Sequence, residues 1–253
     1  MHFIVETTSI NVSAYPVEHR TLDELLNSHV KFDHKQYLGP ARVVSLCLDF
    51  SPSKQKKGGF KLATFGTASQ PIFEAHPSFD ICAKQTFYRK TAQVKSASGE
   101  DVEIIQNIPH DRITQVRNLT LEIACLVWAR VLLNLVYKFV ERGIALHGTP
   151  PFQIPRMRFV EAALAVEQVE KDVEARAFLL EEVIGENEGR FRKYMNNISA
   201  TPTHFANGED EERANFLAFT QHVQYFKTKK MAFVADYQGK SIFYQLVYST
   251  PQY

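Results

Sequence analysis

The feature that most constrains the fold is one long stretch, Asp111–Gly143, in which apolar side chains recur at every fourth position. The apolar positions are Ile123, Val127, Val131, Leu135 and Phe139, with Leu119 one step earlier. Polar and charged side chains keep the same spacing on another face: Glu122, Arg130, Asn134, Lys138 and Arg142. The pattern predicts an amphipathic helix that ends at Gly143. The charged face counts against a membrane span.

Short apolar segments on both sides of this helix are typical of β-strands. Five or more precede it, including Ala41–Phe50, Asp80–Tyr88 and Val102–Ile108. After it, Met157–Val166 fits either a strand or a helix, and the remaining segments alternate. Those remaining segments are a strand at Ala177–Ile184, a helix at Glu211–Lys227 and a last strand at Ser241–Tyr248. The layout predicts a two-lobed α+β domain with a cleft between its lobes.

The composition narrows the class of protein. Hydrophobic residues make up 45% of the 253 positions, which is enough for a substantial core. Lys+Arg 29 against Asp+Glu 28 leaves almost no net charge, so neither a nucleic-acid partner nor a membrane partner is expected. Cys47, Cys82 and Cys125 are widely spaced, which predicts buried free thiols in a reducing compartment. Because the N-terminus lacks a signal-peptide pattern, we expect an intracellular, cytoplasmic protein.

The segment Met231–Gly239 combines an apolar run with an acid and a glycine. It predicts a buried strand that leads into a turn, with Asp236 at the carboxyl end of the strand. Enzymes often place their chemistry at such an end. Asp and Gly also end many strands simply because they form turns, so both interpretations stay open here.

Two further segments can be interpreted either as phosphate-binding or as purely structural. The pair Gly58–Gly59 lies between strand-like segments and can form a simple hairpin or bring backbone N–H groups near a phosphate. Lys84 lies inside a strand, where it can face solvent or bind the phosphates of a nucleotide. Glu122, near the start of the long helix, can be solvated or can reach Lys84.

Seven short motifs then agree, in order, with one family. They are GGFKLA (Gly58–Ala63), ICAKQ (Ile81–Gln85), FLLEEVIG (Phe178–Gly185), KYMNN (Lys193–Asn197), AFTQHVQY (Ala218–Tyr225), AFVADYQG (Ala232–Gly239) and TPQ (Thr250–Gln252). Together they cover about three quarters of the chain. The sequence resembles the alpha-type protein kinases, an atypical Ser/Thr kinase family, and most of all their fungal members.

The resemblance implies a fold and a role for each matching residue. The fold is an atypical protein-kinase-like one, with a mostly antiparallel sheet in the N-terminal lobe, a long helix and a mixed C-terminal lobe. Lys84 would contact the phosphates of ATP, and the hairpin glycines Gly58 and Gly59 would cover them. Two glutamates, Glu181 and Glu182, would lie on the connector that holds the adenine, with Glu181 the closer match.

The resemblance also assigns the chemistry. Asp236 would be the catalytic aspartate beside the substrate hydroxyl, and Gln238 would help to hold Mg²⁺. These residue types suit phosphoryl transfer, which depends on positioning and on charge neutralisation. An amide oxygen is a hard ligand that suits magnesium.

The sequence departs from the family pattern in two places. Thr250 stands where the family has a metal-binding aspartate, which puts catalytic competence in doubt. His222 matches one ligand of a structural zinc, but the other ligands would lie beyond Tyr253. Zinc is therefore not expected, and His222 is expected to be a core or cleft histidine.

Two functions follow as expectations. The first is an alpha-type Ser/Thr kinase that transfers the γ-phosphate of ATP to a protein substrate, with ATP and Mg²⁺ bound. The alternative is a pseudokinase that binds a nucleotide or a protein partner without transfer. Residues 41–253 would form the kinase domain, with lobes at about 41–180 and 185–253. Residues 1–40 would be an extension or the first strands.

Overall fold

The computed structural model describes residues 7–27, 34–95, 101–170, 175–185, 190–239 and 243–246. The strands within this part are β1 (Thr7–Pro16), β2 (Arg42–Asp49), β3 (Lys56–Lys57), β4 (Lys61–Ala68), β5 (Asp80–Lys95), β6 (Asp101–Pro109), β7 (Arg158–Phe159), β8 (Ala162–Glu167), β9 (Ala177–Glu182), β10 (Arg192–Lys193), β11 (Tyr237–Gly239) and β12 (Phe243–Leu246). The α-helices are α1 (Leu22–Asn27), α2 (Arg112–His147) and α3 (Gly208–Lys227), and a short 3₁₀ helix covers His34–Tyr37.

The chain divides into two compact units. The first comprises Met1–Val17, Leu38–Leu121 and Glu161–Val183. The second comprises Glu18–Tyr37, Glu122–Val160 and Ile184–Tyr253. The lobe boundaries near 180 and 185 that the sequence suggests stay a prediction.

The first unit is built on one eight-stranded sheet in the order β3-β4-β2-β1-β8-β9-β5-β6. Strand β4 pairs with β5 as well as with β2, so six of the strands close into a ring. Every pairing in the ring is antiparallel. The antiparallel character predicted for the N-terminal sheet is confirmed.

The hydrophobic core of the first unit lies on one face of each ring strand. In β1, for example, Ile10, Val12 and Ala14 are buried at alternate positions, as the period of a strand requires. The core residues are Ile10, Val12, Ala14, Val44, Leu46, Leu48, Ala68, Ile72, Phe73, Ile81, Ala83, Ala163, Ala165, Phe178 and Leu180. Strand β1 is therefore an interior strand of the sheet, a role that the sequence of residues 1–40 left open.

Strand β4 approaches β2 so closely that one position requires glycine. A Cβ atom on Gly66 would lie 2.1 Å from the backbone oxygen of Cys47. A contact of that length against backbone cannot be relieved by turning a side chain. Gly66 thus allows the β2–β4 pairing that closes the ring.

The second unit contains a four-stranded sheet in the order β10-β11-β12-β7. Strands β12 and β7 run parallel, and the other pairs run antiparallel. Helix α3 begins at an N-cap, Asn207, whose Oδ1 accepts a hydrogen bond from Glu209 N at 3.1 Å. Its acidic first turn complements the helix dipole. The second unit has the mixed architecture that the sequence predicted.

Helix α2 is longer than the sequence predicts. It continues through Gly143 and ends at His147, because Gly148 adopts a left-handed φ of 87° and donates its N–H to Ile144 O. The helix is long and apolar enough to cross a bilayer, yet 56% of its most apolar stretch is buried inside the protein. Core helices pass the same test of length and composition, so this is weak support for a membrane span.

Two local predictions are wrong, and one that the sequence left open is resolved. Residues 231–236 form no strand: Met231 and Phe233 are exposed, and β11 begins only after Asp236. Cys47 is exposed, so only Cys82 of the three thiols is fully buried. Met157–Val166, ambiguous from its sequence, contains two strands, β7 and β8.

Candidate functional site

Lys84 is buried in the first half of β5 and is paired with a carboxylate. Its Nζ lies 2.6 Å from Glu181 Oε2 on the neighbouring strand β9. The two side chains are only 10% and 5% exposed. The interpretation in which Lys84 faces solvent is therefore wrong, and a carboxylate that balances its charge comes from β9.

Two more lysines lie on the same face of the sheet as Lys84. Lys84 is opposite Ala63 on β4, and Ala63 is opposite Lys56 on β3. Lys61 is opposite Thr86, two positions along β5 from Lys84. Directly paired residues share a face, and so do residues two apart on a strand. The strand register thus collects Lys56, Lys61 and Lys84 on one face.

The titration of Cys82 reports this charge distribution. Burial, with a smaller contribution from the nearby Glu181 carboxylate, raises the pKa of the Cys82 thiol to about 12. The positive charges of Lys84, Lys56 and Lys61 act in the opposite direction on the same pKa. The charges of three ammonium groups and one buried carboxylate therefore all lie near Cys82. Positive charge is in excess there, which suits a polyphosphate.

The two glycines predicted to cover phosphates lie in the turn between β3 and β4. Gly58 N donates to Lys61 O at 2.8 Å, which closes the hairpin. Gly58 and Gly59 are both exposed. A Cβ atom on Gly59 would meet nothing within 4 Å in the described part of the chain, so the backbone of the turn is open to an approaching group.

Glu181 and Glu182 are the last residues of β9, and the first unit ends at Val183. Both are buried. The side chain of Glu181 lies against Lys84, whereas the backbone N–H of Glu182 donates to Glu161 O at 3.1 Å. Their role at the adenine stays a prediction. Glu122 is also buried, so the interpretation of it as a solvated helix residue is wrong.

Asp236 belongs to the second unit and has an unusual backbone. Its φ is 59°, in the left-handed region that side chains other than Gly, Asn and Asp rarely adopt. The residue is 4% exposed, and its Oδ1 lies 2.7 Å from Lys193 Nζ. Strained residues are concentrated at functional sites, so this conformation is an independent reason to single out Asp236.

Two glutamines of α3 hold the chain on the N-terminal side of Asp236. Gln221 Nε2 donates to Val234 O, and Val234 N donates to Gln224 Oε1, both at 2.8 Å. Gln224 Nε2 also donates to Tyr237 Oη at 3.2 Å. Sequence reasoning missed these positioning residues, although both lie in the motif AFTQHVQY. It also missed Lys193, whose motif KYMNN was noted without a role.

The described residues offer few candidate metal ligands. Gln238 is half-buried in β11, two residues after Asp236. Its amide oxygen and the Asp236 carboxylate are the donor types that Mg²⁺ prefers. Within residues that the structure describes, no three His, Cys, Asp or Glu side chains cluster as a metal site. Thr250 lies outside them. His222 is exposed on α3, so the interpretation of it as a core residue is wrong.

The chain is similar to known proteins in its fold and in part of its sequence. The fold is similar to that of an alpha kinase from Entamoeba histolytica, with a TM-score of 0.52 at 13% identity over 94% of this chain and 75% of that chain. The alpha-kinase domain of myosin heavy chain kinase A, in a complex with AMP, gives a TM-score of 0.48 at 13% identity over 94% and 83%. No curated protein sequence matches significantly. The model of the alpha-kinase family matches residues 112–252, more than half of the chain. The chain therefore belongs to the alpha-kinase family.

Proposed function

We propose that the protein binds ATP and transfers its γ-phosphate to a Ser or Thr hydroxyl of a protein substrate. The observation that carries this proposal is the buried pair of Lys84 and Glu181, 2.6 Å apart, on a face that also bears Lys56 and Lys61. A buried lysine held by a carboxylate, with two further ammonium groups nearby, suits a triphosphate of high negative charge.

Each candidate site residue of the first unit has a defined role in this proposal. Lys84 holds the phosphates, and the exposed turn at Gly58–Gly59 covers them with the backbone N–H of Gly59, since the N–H of Gly58 donates to Lys61 O. Glu181 keeps Lys84 in place, since the ion pair fixes the end of an otherwise flexible side chain. Glu182, the last residue of β9, binds the adenine with Glu181 through the adjoining backbone.

The second unit supplies the acceptor side of the reaction. Asp236 orients the hydroxyl of the substrate and accepts its proton as the oxygen attacks. Gln221 and Gln224 fix the backbone through Val234, so the carboxylate does not have to be ordered during the reaction. Gln238 and Asp236 would hold Mg²⁺, whose chemistry is to neutralise charge on the phosphates. With so few protein ligands, the phosphates themselves would supply most of the oxygens.

A specific observation favours the second candidate, a nucleotide-binding pseudokinase. Asp236 already has Lys193 Nζ at 2.7 Å, and this ammonium group competes with a substrate hydroxyl for the carboxylate. The sequence adds Thr250 in place of a family aspartate. Losing a carboxylate near a metal removes about 4 kcal/mol of attraction for charges 4 Å apart at an effective dielectric of 20. That is roughly three decades in rate.

Phosphate transfer separates the two candidates. The wild type, Thr250→Asp and Asp236→Asn would be incubated with radiolabelled ATP, Mg²⁺ and a basic protein substrate. A kinase gives transfer in the wild type, more in Thr250→Asp and none in Asp236→Asn. A pseudokinase binds ATP and gives no transfer in the wild type. Transfer that persists undiminished in Asp236→Asn would contradict the proposed mechanism.

A further inference from the structure

A cavity of the first unit lies at one end of the six-stranded ring. Its volume is 410 Å³, within the range of small-molecule sites. It is lined by the residue after β2, Phe50, by the paired residues Leu62 and Gln85, and by Arg176 just before β9. The beginning of α2, including Arg112, completes the wall. The ends of β-barrels are frequent places for ligands.

This cavity is separate from the lysine face described above. Gln85 follows Lys84 directly on β5, so the two side chains lie on opposite faces of the strand. Gln85 shares its face with the core residues Ile81 and Ala83. A ligand in the cavity would thus lie on the inner side of the sheet, away from Lys56, Lys61 and Lys84.

Gln85 carries an unsatisfied hydrogen-bond donor at this cavity. The residue is 8% exposed, and no group in the described part of the chain accepts a hydrogen bond from its Nε2. A buried donor without a partner destabilises the fold, because its hydrogen bond to water is lost and is not replaced. An acceptor oxygen on a bound molecule would remove that cost, so Gln85 is suited to bind an anion or a carbonyl group.

The wall of the cavity is held by hydrogen bonds of its own side chains. Arg176 donates to both oxygens of Glu167 at 2.8 Å, and its guanidinium lies 5.1 Å from the centre of the Phe50 ring. Gln115 accepts from Ala177 N through its Oε1 and donates to His110 O through its Nε2, tying the start of α2 to the start of β9. Such a wall is already arranged before a ligand arrives, so little ordering free energy is lost on binding.

The polar lining is richer in donors than in acceptors. Arg112 and His110 line the cavity beside Gln85, together with the first turn of α2, whereas the guanidinium of Arg176 is already bonded to Glu167. Asp111, the carboxylate in the lining, is hydrogen-bonded to Thr114 N and Oγ1, and these bonds lower the pKa of Asp111. Its oxygens are therefore occupied in capping α2. The lining thus offers a ligand mainly N–H groups next to apolar carbon.

We propose that this cavity binds a small organic anion. A carboxylate or phosphate group accepts hydrogen bonds from the Gln85 amide and the Arg112 guanidinium, and an apolar body packs against Phe50 and Leu62. The site is distinct from the nucleotide site proposed above and does not depend on it.

Benzoate and phenyl phosphate test the proposal, because they carry the same apolar ring and different anionic groups. Binding to the full chain would be measured by titration calorimetry, with benzyl alcohol as the uncharged control. We expect one of the two anions to bind at least tenfold more tightly than benzyl alcohol, and the preferred one identifies the ligand as a carboxylate or a phosphate. Equal binding of all three, or no binding up to about 10 mM, would overturn the proposal.

Variants of two glutamines on β5 locate the binding. Gln85→Leu removes the unsatisfied donor, so we expect the melting temperature to be retained or raised and anion binding to fall about tenfold. Gln93→Leu, at an exposed position of the same strand, should bind as the wild type does. Arg112→Gln gives a second measurement if Gln85→Leu does not fold. Unchanged binding in folded Gln85→Leu and in Arg112→Gln would exclude this cavity.

Discussion

The pair of Lys84 and Glu181 depends on both partners, because each charge is almost fully removed from water. Removing one partner of a buried ion pair costs about 3–5 kcal/mol, since the other charge is left without compensation. We therefore predict that Lys84→Met is severely destabilised and that Lys84→Met/Glu181→Gln recovers most of the loss. Urea unfolding measures both. An exposed lysine of the same strand provides the control, Lys90→Met, which should unfold as the wild type does.

The left-handed backbone of Asp236 can be tested by two substitutions that both remove the carboxylate. Asp236→Gly accommodates a φ of 59° without strain, whereas Asp236→Ala does not. We predict that the alanine variant is less stable than the glycine variant by about 1–2 kcal/mol. Since both lose the contact with Lys193 equally, their difference in urea unfolding reports the backbone alone. Equal stability, or a more stable alanine variant, would refute the strained conformation.

At the scale of residues, the sequence indicates which residues are candidates for the site better than it predicts their backbone conformations. Lys84, Glu181, Asp236 and Gln238 were singled out by matching motifs, and their roles remain proposals. The conformation of Asp236 was not predictable, because the apolar run before it fits a strand until one knows that Gln221 and Gln224 hold Val234. These contacts join positions ten and more residues apart, which no local pattern encodes.

At the scale of elements, two glycines near the end of helix α2 should respond in opposite ways to alanine substitution: one variant should lose stability and the other should gain it. Gly148 has a φ of 87° just beyond the helix. Gly143 lies within the helix, and a Cβ atom added to it would meet no described atom within 4 Å. Gly148→Ala should destabilise the protein by about 1 kcal/mol, and Gly143→Ala should stabilise it by roughly 0.5–1 kcal/mol. Thermal unfolding of both variants measures this. A stabilising Gly148→Ala would mean that the helix does not end there.

The ends of β8 and β9 are joined by Glu167 and Arg176, which gives a pH dependence. The Arg176 guanidinium lowers the pKa of Glu167 below its ordinary 4.5. A lowered folded-state pKa stabilises the fold at pH values above 4.5, and this contribution is lost as the pH falls through the folded pKa. We predict that wild type and Glu167→Gln converge in unfolding free energy in acid and diverge toward neutral pH. A difference independent of pH would show that the pair contributes no linked stability.

Element types were largely predictable from periodicity, and element ends were not. The helix at Asp111–Gly143 was predicted from its four-residue repeat, but its end was placed at the first available glycine instead of Gly148. Strand β1 was not predicted as a whole, although Ile10, Val12 and Ala14 alternate with polar residues in it. In its sequence, TTSINVSAYP, only three buried apolar residues alternate with polar ones. The two-residue period of a strand is therefore hard to recognise among so many hydroxyl side chains.

At the scale of the whole molecule, the sequence predicted the α+β class and the antiparallel sheet, and the alpha-kinase family followed from ordered motifs. It did not predict that β4 pairs with both β2 and β5 to close a ring. Such closure rests on pairings between distant segments, such as Val12 with Glu167. Loop closure over such distances leaves no local signature in the sequence.

The central claim is that Lys84 binds the phosphates of ATP, and calorimetric titration of ATP with Mg²⁺ tests it most directly. The double variant Lys84→Met/Glu181→Gln, predicted above to fold, would be compared with the wild type and with Lys90→Met, and adenosine would be titrated beside ATP because Glu181 is also assigned to the adenine. We predict that the wild type and Lys90→Met bind ATP alike and that the double variant, while folded, binds at least tenfold more weakly. Equal ATP affinity in all three proteins would contradict the claim.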